Sequence, residues 1–180
     1  TIRPGDQDHY PTANGDVPIN AIYWEYGALY LDALSRREGL EPCYADADSI
    51  AAQPRDLPYP YACFGYRYPT EAEWESAARA GSTGRFSWGD SEEMVGDYAV
   101  YLRNSGNLLA SVASKLPNAW GLYDVHGNVA EFTHDTWAER NFGTNPVNNG
   151  AIVIGESLGG HSREKVVRGG HLWSEPAQLA

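Results

Sequence analysis

The chain has 180 residues, of which 42% are hydrophobic, enough for one domain with a substantial buried core. Its formal net charge is −11 and its isoelectric point is about 4.7, which argues against nucleic acids and anionic membrane surfaces as partners. No run approaches the roughly 18 apolar residues that a transmembrane helix requires. The 19 glycines and 11 prolines instead indicate a loop-rich fold with short regular elements.

Residues 1–20 are rich in Pro, Gly, Asn and Asp, and this composition predicts an irregular lead-in. A first amphipathic helix is predicted from Trp24 to Arg37, because apolar residues recur there at intervals of three and four, and Gly39 ends it. The apolar face of this helix consists of Trp24, Ala28, Leu31 and Leu34.

A loop rich in Pro, Asp and Tyr is predicted over residues 40–64, and it carries Cys43 and Cys63. Two interpretations are open: two free thiols, as in a cytosolic protein, or one disulfide that ties the loop. Neither cysteine belongs to a C-x-x-C pair, which argues against zinc binding or catalysis. We favour the disulfide, and with it an extracytoplasmic location (periplasmic, surface or secreted), with the cytoplasm as the alternative.

The segment before Gly81 contains a complete helix signal. Thr70 and Glu73 match the Thr-x-x-Glu capping box, in which each residue satisfies a backbone N–H of the first turn. Gly81 supplies the stop. The sequence therefore predicts a helix over Glu71–Ala80, with Trp74 as the anchor of its buried face.

Strand patterns occur in the second half of the chain. Val129–Trp137 alternates partly between apolar and polar residues, and Ala151–Ile154 and Lys165–Arg168 are short apolar runs typical of buried strands. Residues 138–150, between the first two of these, are rich in Asn, Gly and Pro and predict a loop. Two helices early and short strands late, linked by long loops, predict an α+β domain.

Two carboxylates, Asp124 and Glu131, bracket a turn at Gly127-Asn128. Calcium binds roughly 6–8 oxygen ligands, and such a turn offers backbone carbonyls beside carboxylates. The same spacing is also common in loops that bind no metal. The spacing alone therefore leaves both interpretations open.

Three segments resemble signature blocks of the formylglycine-generating enzyme (sulfatase-modifying factor) family, and they occur in the family's order. The segments are residues 65–81 (G-Y-R-Y-P-T-E-A-E-W-E-S-A-A-R-A-G), 117–132 (P-N-A-W-G-L-Y-D-V-H-G-N-V-A-E-F) and 167–170 (V-R-G-G). The similarity runs from about Val17 to Trp173. It implies a C-type-lectin-like fold with two short helices, short antiparallel strands and long loops, in a single domain over residues 1–180.

The resemblance also implies structural calcium, because family members hold one or two calcium ions. Carried over position by position, the ligands of one ion are the Asp124 side chain, the Gly127 and Val129 carbonyls and the Glu131 side chain. A second family site draws on the preceding segment, but residues 97–112 match too loosely to assign ligands.

The activity of the family's enzymes depends on residues that differ here. Those enzymes hold copper with two cysteines that follow the R-G-G block, and Cu(I) favours thiolate ligands. In this chain Ser174 stands at the first of these cysteine positions, and no cysteine follows it up to Ala180. Formation of formylglycine by that mechanism is therefore not expected.

We therefore expect a calcium-stabilised binding or structural module, with His171 and Trp173 on a face that binds an unidentified protein or small molecule. The alternative is a metal-dependent oxidase of the family, sulfatase-modifying or sulfoxide-synthase-like, whose catalytic residues lie outside this chain. His126 and His134, with Asp135 beside the latter, are candidates for an iron site, although we favour hydrogen-bonding roles for them.

Several positions depart from the family pattern. Tyr68 replaces a leucine, and Ala130 and Phe132 replace two tryptophans, which predicts a repacked interior behind the calcium block. The tryptophans that remain are interpreted as core residues, with Trp173 as the exception. The family's first and last strands have no counterpart here, so we expect either a fragment of a longer protein or another chain that completes the sheet.

Overall fold

The computed structural model describes residues 16–45, 53–54, 60–136, 152–154 and 165–179. Helix α1 spans Trp24–Arg37, as predicted, and helix α2 spans Glu71–Arg79. The capping box of Thr70 and Glu73 is present in both directions. Helix α2 ends one residue earlier than predicted, because Ala80 already adopts the left-handed backbone conformation, with φ of 48°.

The predicted strand segments form one antiparallel sheet. Strand β3 spans Glu131–Thr136, β4 spans Ile152–Ile154 and β5 spans Lys165–Arg168, in the order β3-β5-β4. Phe132 pairs with Val167, and the register shifts farther along β3. The α+β prediction is confirmed. The lead-in before residue 16, Trp137 and the predicted loop over residues 138–150 lie outside the described residues.

Further short elements lie outside the predicted helices and strands. Strand β1 (Tyr44–Ala45) pairs antiparallel with β2 (Gln53–Pro54) inside the cysteine-containing loop, and helix α3 spans Val95–Tyr98. These strands of two residues and this single helical turn carry neither a periodic pattern nor an apolar run like those of β4 and β5, which is why the sequence does not reveal them. Single 3₁₀ turns lie at Pro60–Ala62, Glu92–Met94 and Pro176–Gln178.

The buried face of α1 is more polar than predicted. Trp24 and Ala28 are buried, whereas the two predicted leucines are only half-buried. Asp32 and Ser35 are instead fully buried. Because buried polar groups require hydrogen-bond partners, these two side chains indicate that α1 packs against backbone rather than against apolar side chains there.

Those two polar side chains hold the loop that follows α1. The Asp32 carboxylate accepts a hydrogen bond from the N–H of Cys43 at 3.0 Å, and the Ser35 hydroxyl accepts one from the N–H of Tyr66 at 2.8 Å. Cys43 and Cys63 are joined in a disulfide, with their Cα atoms 5.6 Å apart. The loop is therefore tied at both ends by hydrogen bonds and by a covalent bond.

Two of the departures from the family pattern contact each other. The rings of Tyr68 and Phe132 meet edge to face, with their centroids 6.0 Å apart. The Tyr68 hydroxyl also donates to the Trp24 carbonyl at 3.1 Å. Both rings pack against the same cluster of buried residues, which consists of Trp24, Ala28, Cys43 and Tyr44. Tyr68, which is larger than the family's leucine, thus packs beside Phe132, which is smaller than the family's tryptophan.

Trp120 is not a core residue, and its interpretation as one is wrong. It is 61% exposed, at the tip of a tight turn. The Asn118 side chain closes this turn by accepting hydrogen bonds from the N–H groups of Trp120 and Leu122, both at 3.0 Å. In the part of the chain that the structure describes, no helix combines the length and apolarity that crossing a membrane requires.

Candidate functional site

The turn that carries the predicted calcium ligands has an unusual backbone. Asp124, Gly127 and Asn128 all have positive φ, at 58°, 83° and 61°. A Cβ atom at position 127 would collide with the backbone carbonyl of Val100, so this position requires glycine. The N–H of Gly127 donates to the Gly169 carbonyl at 2.8 Å, which joins the turn to the V-R-G-G segment.

Asn128 fixes this turn to three other segments. Its side-chain amide pairs with the backbone of Ala110, accepting from the N–H at 3.1 Å and donating to the carbonyl at 3.2 Å. Its own N–H donates to the Val100 carbonyl at 2.8 Å, and its carbonyl accepts from Leu172 at 3.0 Å. A side chain bonded to a distant backbone in this way makes the turn part of the rigid interior.

The two predicted carboxylate ligands lie close enough to influence each other. Burial of the carboxyl group raises the pKa of Glu131, and the negative charge of Asp124 raises it further, whereas a hydrogen bond from Trp74 opposes the shift. That bond joins Trp74 Nε1 to Glu131 Oε2 at 2.6 Å. One oxygen of Asp124 accepts from the N–H of Ala113 at 2.7 Å. A cation between the carboxylates would relieve their mutual repulsion.

The two backbone carbonyls assigned as calcium ligands are compatible with that assignment. Among the hydrogen bonds of the described residues, none ends on the carbonyl oxygen of Gly127 or Val129. The described residues contain no group of three His, Cys, Asp or Glu side chains placed to hold a metal. A metal at Asp124 and Glu131 would therefore need backbone oxygens, which suits a hard cation such as calcium. The calcium site stays a prediction.

The side chains behind Glu131 carry no sequence signal that links them to the site. The Arg168 guanidinium lies over the Trp74 ring, 5.1 Å from its centroid, and is almost fully buried. It pairs with Glu71 at 2.8 Å and Glu75 at 3.5 Å, both on α2. The sequence marks Trp74 as a helix anchor, but its partner Glu131 lies 57 residues away, and no local pattern signals such a bond.

His171 and Trp173, the predicted ligand-binding residues, lie on one turn. The N–H of Trp173 donates to His171 Nδ1 at 3.1 Å, and the two rings meet nearly perpendicular, with their centroids 6.0 Å apart. Trp173 is 38% exposed, and its indole N–H donates to the Asn107 side chain at 2.9 Å. Burial lowers the pKa of His171, which favours its neutral form. The structure thus presents a half-exposed aromatic pair.

Ser174 stabilises the same turn from its buried side. It is fully buried, and its hydroxyl accepts a hydrogen bond from the N–H of His171 at 3.0 Å. The carbonyl of Ser174 accepts from the N–H of Leu102 at 3.1 Å. A Cβ at Gly170 would lie 3.1 Å from the Ser174 hydroxyl and 2.9 Å from the buried Leu179 side chain. The surroundings of Ser174 are therefore closely packed.

The two candidate iron-binding histidines occupy different environments. His126 is buried and meets the stacked rings of Phe86 and Trp88 edge to face, and its Nδ1 lies 2.6 Å from the Leu179 carbonyl. His134 packs near Tyr44, with ring centroids 6.4 Å apart. Burial lowers the pKa of both imidazoles. The contact of His126 is of a kind expected for a structural histidine, whereas the buried Nδ1 of His134 has no hydrogen-bond partner among the described residues.

The chain matches known proteins over part or all of its length. A family model described as "Sulfatase-modifying factor enzyme 1-like domain" matches residues 1–180. The formylglycine-generating enzyme of Mycobacterium tuberculosis is 42% identical over 80 residues, which are 38% of this chain and 27% of that protein. The formylglycine-generating enzyme of Streptomyces coelicolor is 34% identical over 118 residues, 59% of this chain and 36% of that protein. The matches therefore cover well under half of these two relatives.

A solved structure shares the fold over nearly the whole chain. Treponema denticola variable protein 1 superposes with a TM-score of 0.67 at 28% sequence identity, covering 96% of this chain and 69% of that chain. The match places the two helices and the short antiparallel sheet in the architecture that the sequence resemblance implies. Together with the family model that spans all 180 residues, it shows that this chain belongs to the formylglycine-generating enzyme (sulfatase-modifying factor) family.

Proposed function

We propose that this chain is a calcium-stabilised binding or structural module that does not convert cysteine to formylglycine. The observation that carries the proposal is the buried position of Ser174, where the family's copper enzymes have a cysteine. Its hydroxyl is used within the turn, accepting from the N–H of His171. The two cysteines of the chain, Cys43 and Cys63, are bonded to each other and offer no thiolate.

The chemistry of position 174 supports this proposal. A serine hydroxyl is a hard and weakly acidic ligand, whereas Cu(I) favours soft thiolate or thioether sulfur. The backbone at Gly170 also approaches both the Ser174 hydroxyl and the Leu179 side chain closely. In this chain Ser174 stabilises the turn by accepting the hydrogen bond from the N–H of His171.

The calcium proposal is supported by the donor set. Burial raises the pKa of Glu131 and the Asp124 charge adds to this shift, and neither carboxylate forms an ion pair with another described residue. The Gly127 and Val129 carbonyls supply further oxygens of the hard type that calcium prefers. When bound, the ion would neutralise the carboxylates and hold the turn to β3, which is a structural rather than a catalytic role.

The ligand-binding proposal is supported by the aromatic pair of His171 and Trp173. An indole that is fixed by a hydrogen bond from its nitrogen to Asn107 presents its ring with little loss of conformational freedom on binding. The ligand would be a protein segment or a small molecule with an apolar or aromatic surface. His171, whose pKa is lowered by burial, would add a hydrogen-bonding group beside it.

Metal analysis and calcium titration of the purified chain test the calcium proposal. We expect about one calcium per chain and no stoichiometric copper or iron, and calcium should raise the melting temperature because it stabilises the state that binds it. The Glu131→Gln variant should lose this stabilisation, whereas Glu93→Gln, which removes an exposed carboxylate, should retain it. An unchanged melting temperature of the wild type with calcium and with chelator would contradict the proposal.

The alternative function is a metal-dependent oxidase completed by residues outside this chain. The names of the relatives favour it, since both are formylglycine-generating enzymes. Oxygen consumption with a cysteine-containing peptide, in the presence of added copper or iron, separates the two functions. We expect none from this chain, and turnover that depends on copper would overturn the binding-module proposal.

The extracytoplasmic location is supported by the disulfide, because structural disulfides persist in oxidising compartments. Alkylation of the protein as isolated from its natural source, followed by mass spectrometry, tests it. Cys43 and Cys63 should resist alkylation until a reductant is added. Two freely alkylated thiols would favour the cytoplasm instead.

A further inference from the structure

Trp74 connects the candidate calcium ligands to helix α2. The ring is buried, and its N–H donates to Glu131 Oε2 at 2.6 Å. An indole nitrogen can only donate, so this contact holds the carboxylate without competing for a cation. A bond from a neutral donor to an ionised carboxylate is also among the stronger hydrogen bonds in proteins.

The Trp74 ring is fixed on its other sides. The Arg168 guanidinium lies over the ring, and Arg168 is itself held by Glu71 at 2.8 Å, on the same helix as Trp74. A Cβ at Gly169 would lie 3.2 Å from the ring edge, so the backbone there approaches closely because glycine has no side chain. A ring held by a cation and by close backbone contact has little freedom to turn its N–H away from Glu131.

We propose that Trp74 is a positioning residue of the calcium site, which holds one oxygen of Glu131 so that the other is presented to the ion. This inference rests on the proposed calcium function. The residues around a metal's direct ligands commonly orient them, and their loss typically weakens binding by about 10- to 100-fold. Trp74 performs this role through a bond that crosses from α2 to β3.

A merely structural role for Trp74 leads to a different expectation. If the ring only fills space, its replacement lowers stability equally with and without calcium. If the N–H orients Glu131, replacement lowers the affinity for calcium itself. Calcium affinity is therefore the readout that separates the two roles.

The chain offers a matched control in Trp24. It is also buried, and its N–H donates to the Thr133 carbonyl at 2.9 Å, on the same strand as Glu131. Trp24→Phe therefore removes an indole hydrogen bond to β3 but leaves the carboxylate untouched. Trp74→Phe removes the bond to the carboxylate and keeps an aromatic ring under Arg168.

The test is titration calorimetry of metal-free protein with calcium chloride. We expect about 10-fold weaker binding for Trp74→Phe. Trp24→Phe should keep the wild-type affinity, although its melting temperature should fall. Equal affinity of wild type and Trp74→Phe would overturn this inference and leave the calcium proposal standing. A wild type that binds no calcium would overturn both.

A second measurement needs no variant at position 74. In the NMR spectrum of the wild type, calcium should shift the assigned indole N–H resonance of Trp74, because the charge on its acceptor changes. The Trp24 indole resonance, whose acceptor is a backbone carbonyl, should move less. A Trp74 resonance that stays in place while calcium binds would overturn the inference even if Trp74→Phe fails to fold.

Discussion

At the scale of single residues, Asn128 contributes to the site without being a predicted ligand. Its side-chain amide bonds to both the N–H and the carbonyl of Ala110, as the backbone of a neighbouring strand would. Its own backbone bonds to Val100 and Leu172. Asparagine tolerates a left-handed backbone better than other residues with a side chain, which suits its φ of 61°. One side chain thus holds the turn between Asp124 and Glu131 against three other segments.

Asn128→Ala should therefore destabilise the protein. We expect the free energy of unfolding to fall by about 3 kcal/mol, because two backbone groups of Ala110 lose their partner and alanine is strained at positive φ. Urea denaturation measures the change. Asn107→Ala is the control, since Asn107 also has positive φ but is exposed and loses only an exposed hydrogen bond from Trp173, and it should cost only about 1 kcal/mol. Equal losses would contradict the role of the buried amide.

At the scale of elements, α2 shows how far local sequence determines structure. Its capping box is satisfied within the segment, and Arg67 adds two bonds to Glu73, at 2.7 and 2.8 Å. These contacts are local, so the sequence predicts the helix start correctly. The buried face of α1 is different, because Asp32 and Ser35 find their partners in a loop that no periodic pattern describes.

The start of α2 should also make stability depend on pH. Hydrogen bonds from Arg67 lower the pKa of Glu73 to about 2, from an ordinary value of 4.5. The folded state therefore binds its proton less readily than the unfolded state, so this contribution is complete above pH 4.5 and is lost as the pH falls towards 2. Because Glu73 is partly exposed, solvent keeps the effect small.

Glu73→Gln tests this dependence. The variant should be less stable than the wild type at pH 6, and the difference in the free energy of unfolding should shrink as the pH is lowered through 4 to 3. Glu93→Gln, at an exposed position, should follow the wild-type curve. A difference between wild type and Glu73→Gln that stays constant from pH 6 to pH 3 would exclude the ion pair as its source.

At the scale of the whole molecule, the disulfide closes a loop whose ends are already held. Cys43 and Cys63 are separated by 20 residues, and hydrogen bonds to Asp32 and Ser35 anchor the chain beside both. The covalent bond therefore acts mainly on the unfolded chain, whose freedom it restricts. We expect the native contacts at the ends of the loop to form without it.

Replacing both cysteines with serine should lower stability without abolishing the fold. Chain-entropy arguments for a loop of this length predict a loss of about 3 kcal/mol in the free energy of unfolding. Near-ultraviolet circular dichroism should keep its native form, and urea denaturation of the variant should no longer respond to a reductant. Loss of the native spectrum would mean that the disulfide, rather than the hydrogen bonds, holds the loop.

The sequence predicts the fold better than the site. Helices α1 and α2, the strands of the main sheet and the family follow from local patterns and from three signature segments. The bonds that shape the site link distant residues, as Trp74 links to Glu131 and Asn128 to Ala110, and a single sequence carries no signal for such pairs. The exposure of Trp120 also escapes the sequence, because it depends on a turn closed by Asn118.

The register shift in β3 limits where another strand can pair with the sheet. Within the shifted stretch, the Thr133 carbonyl accepts from the Trp24 indole and the His134 N–H donates to the Pro69 carbonyl at 2.7 Å. Backbone groups that are already bonded cannot template another strand, which is a common protection against edge-to-edge aggregation. A further segment, whether from this polypeptide or from a partner, would therefore not pair along the middle of β3.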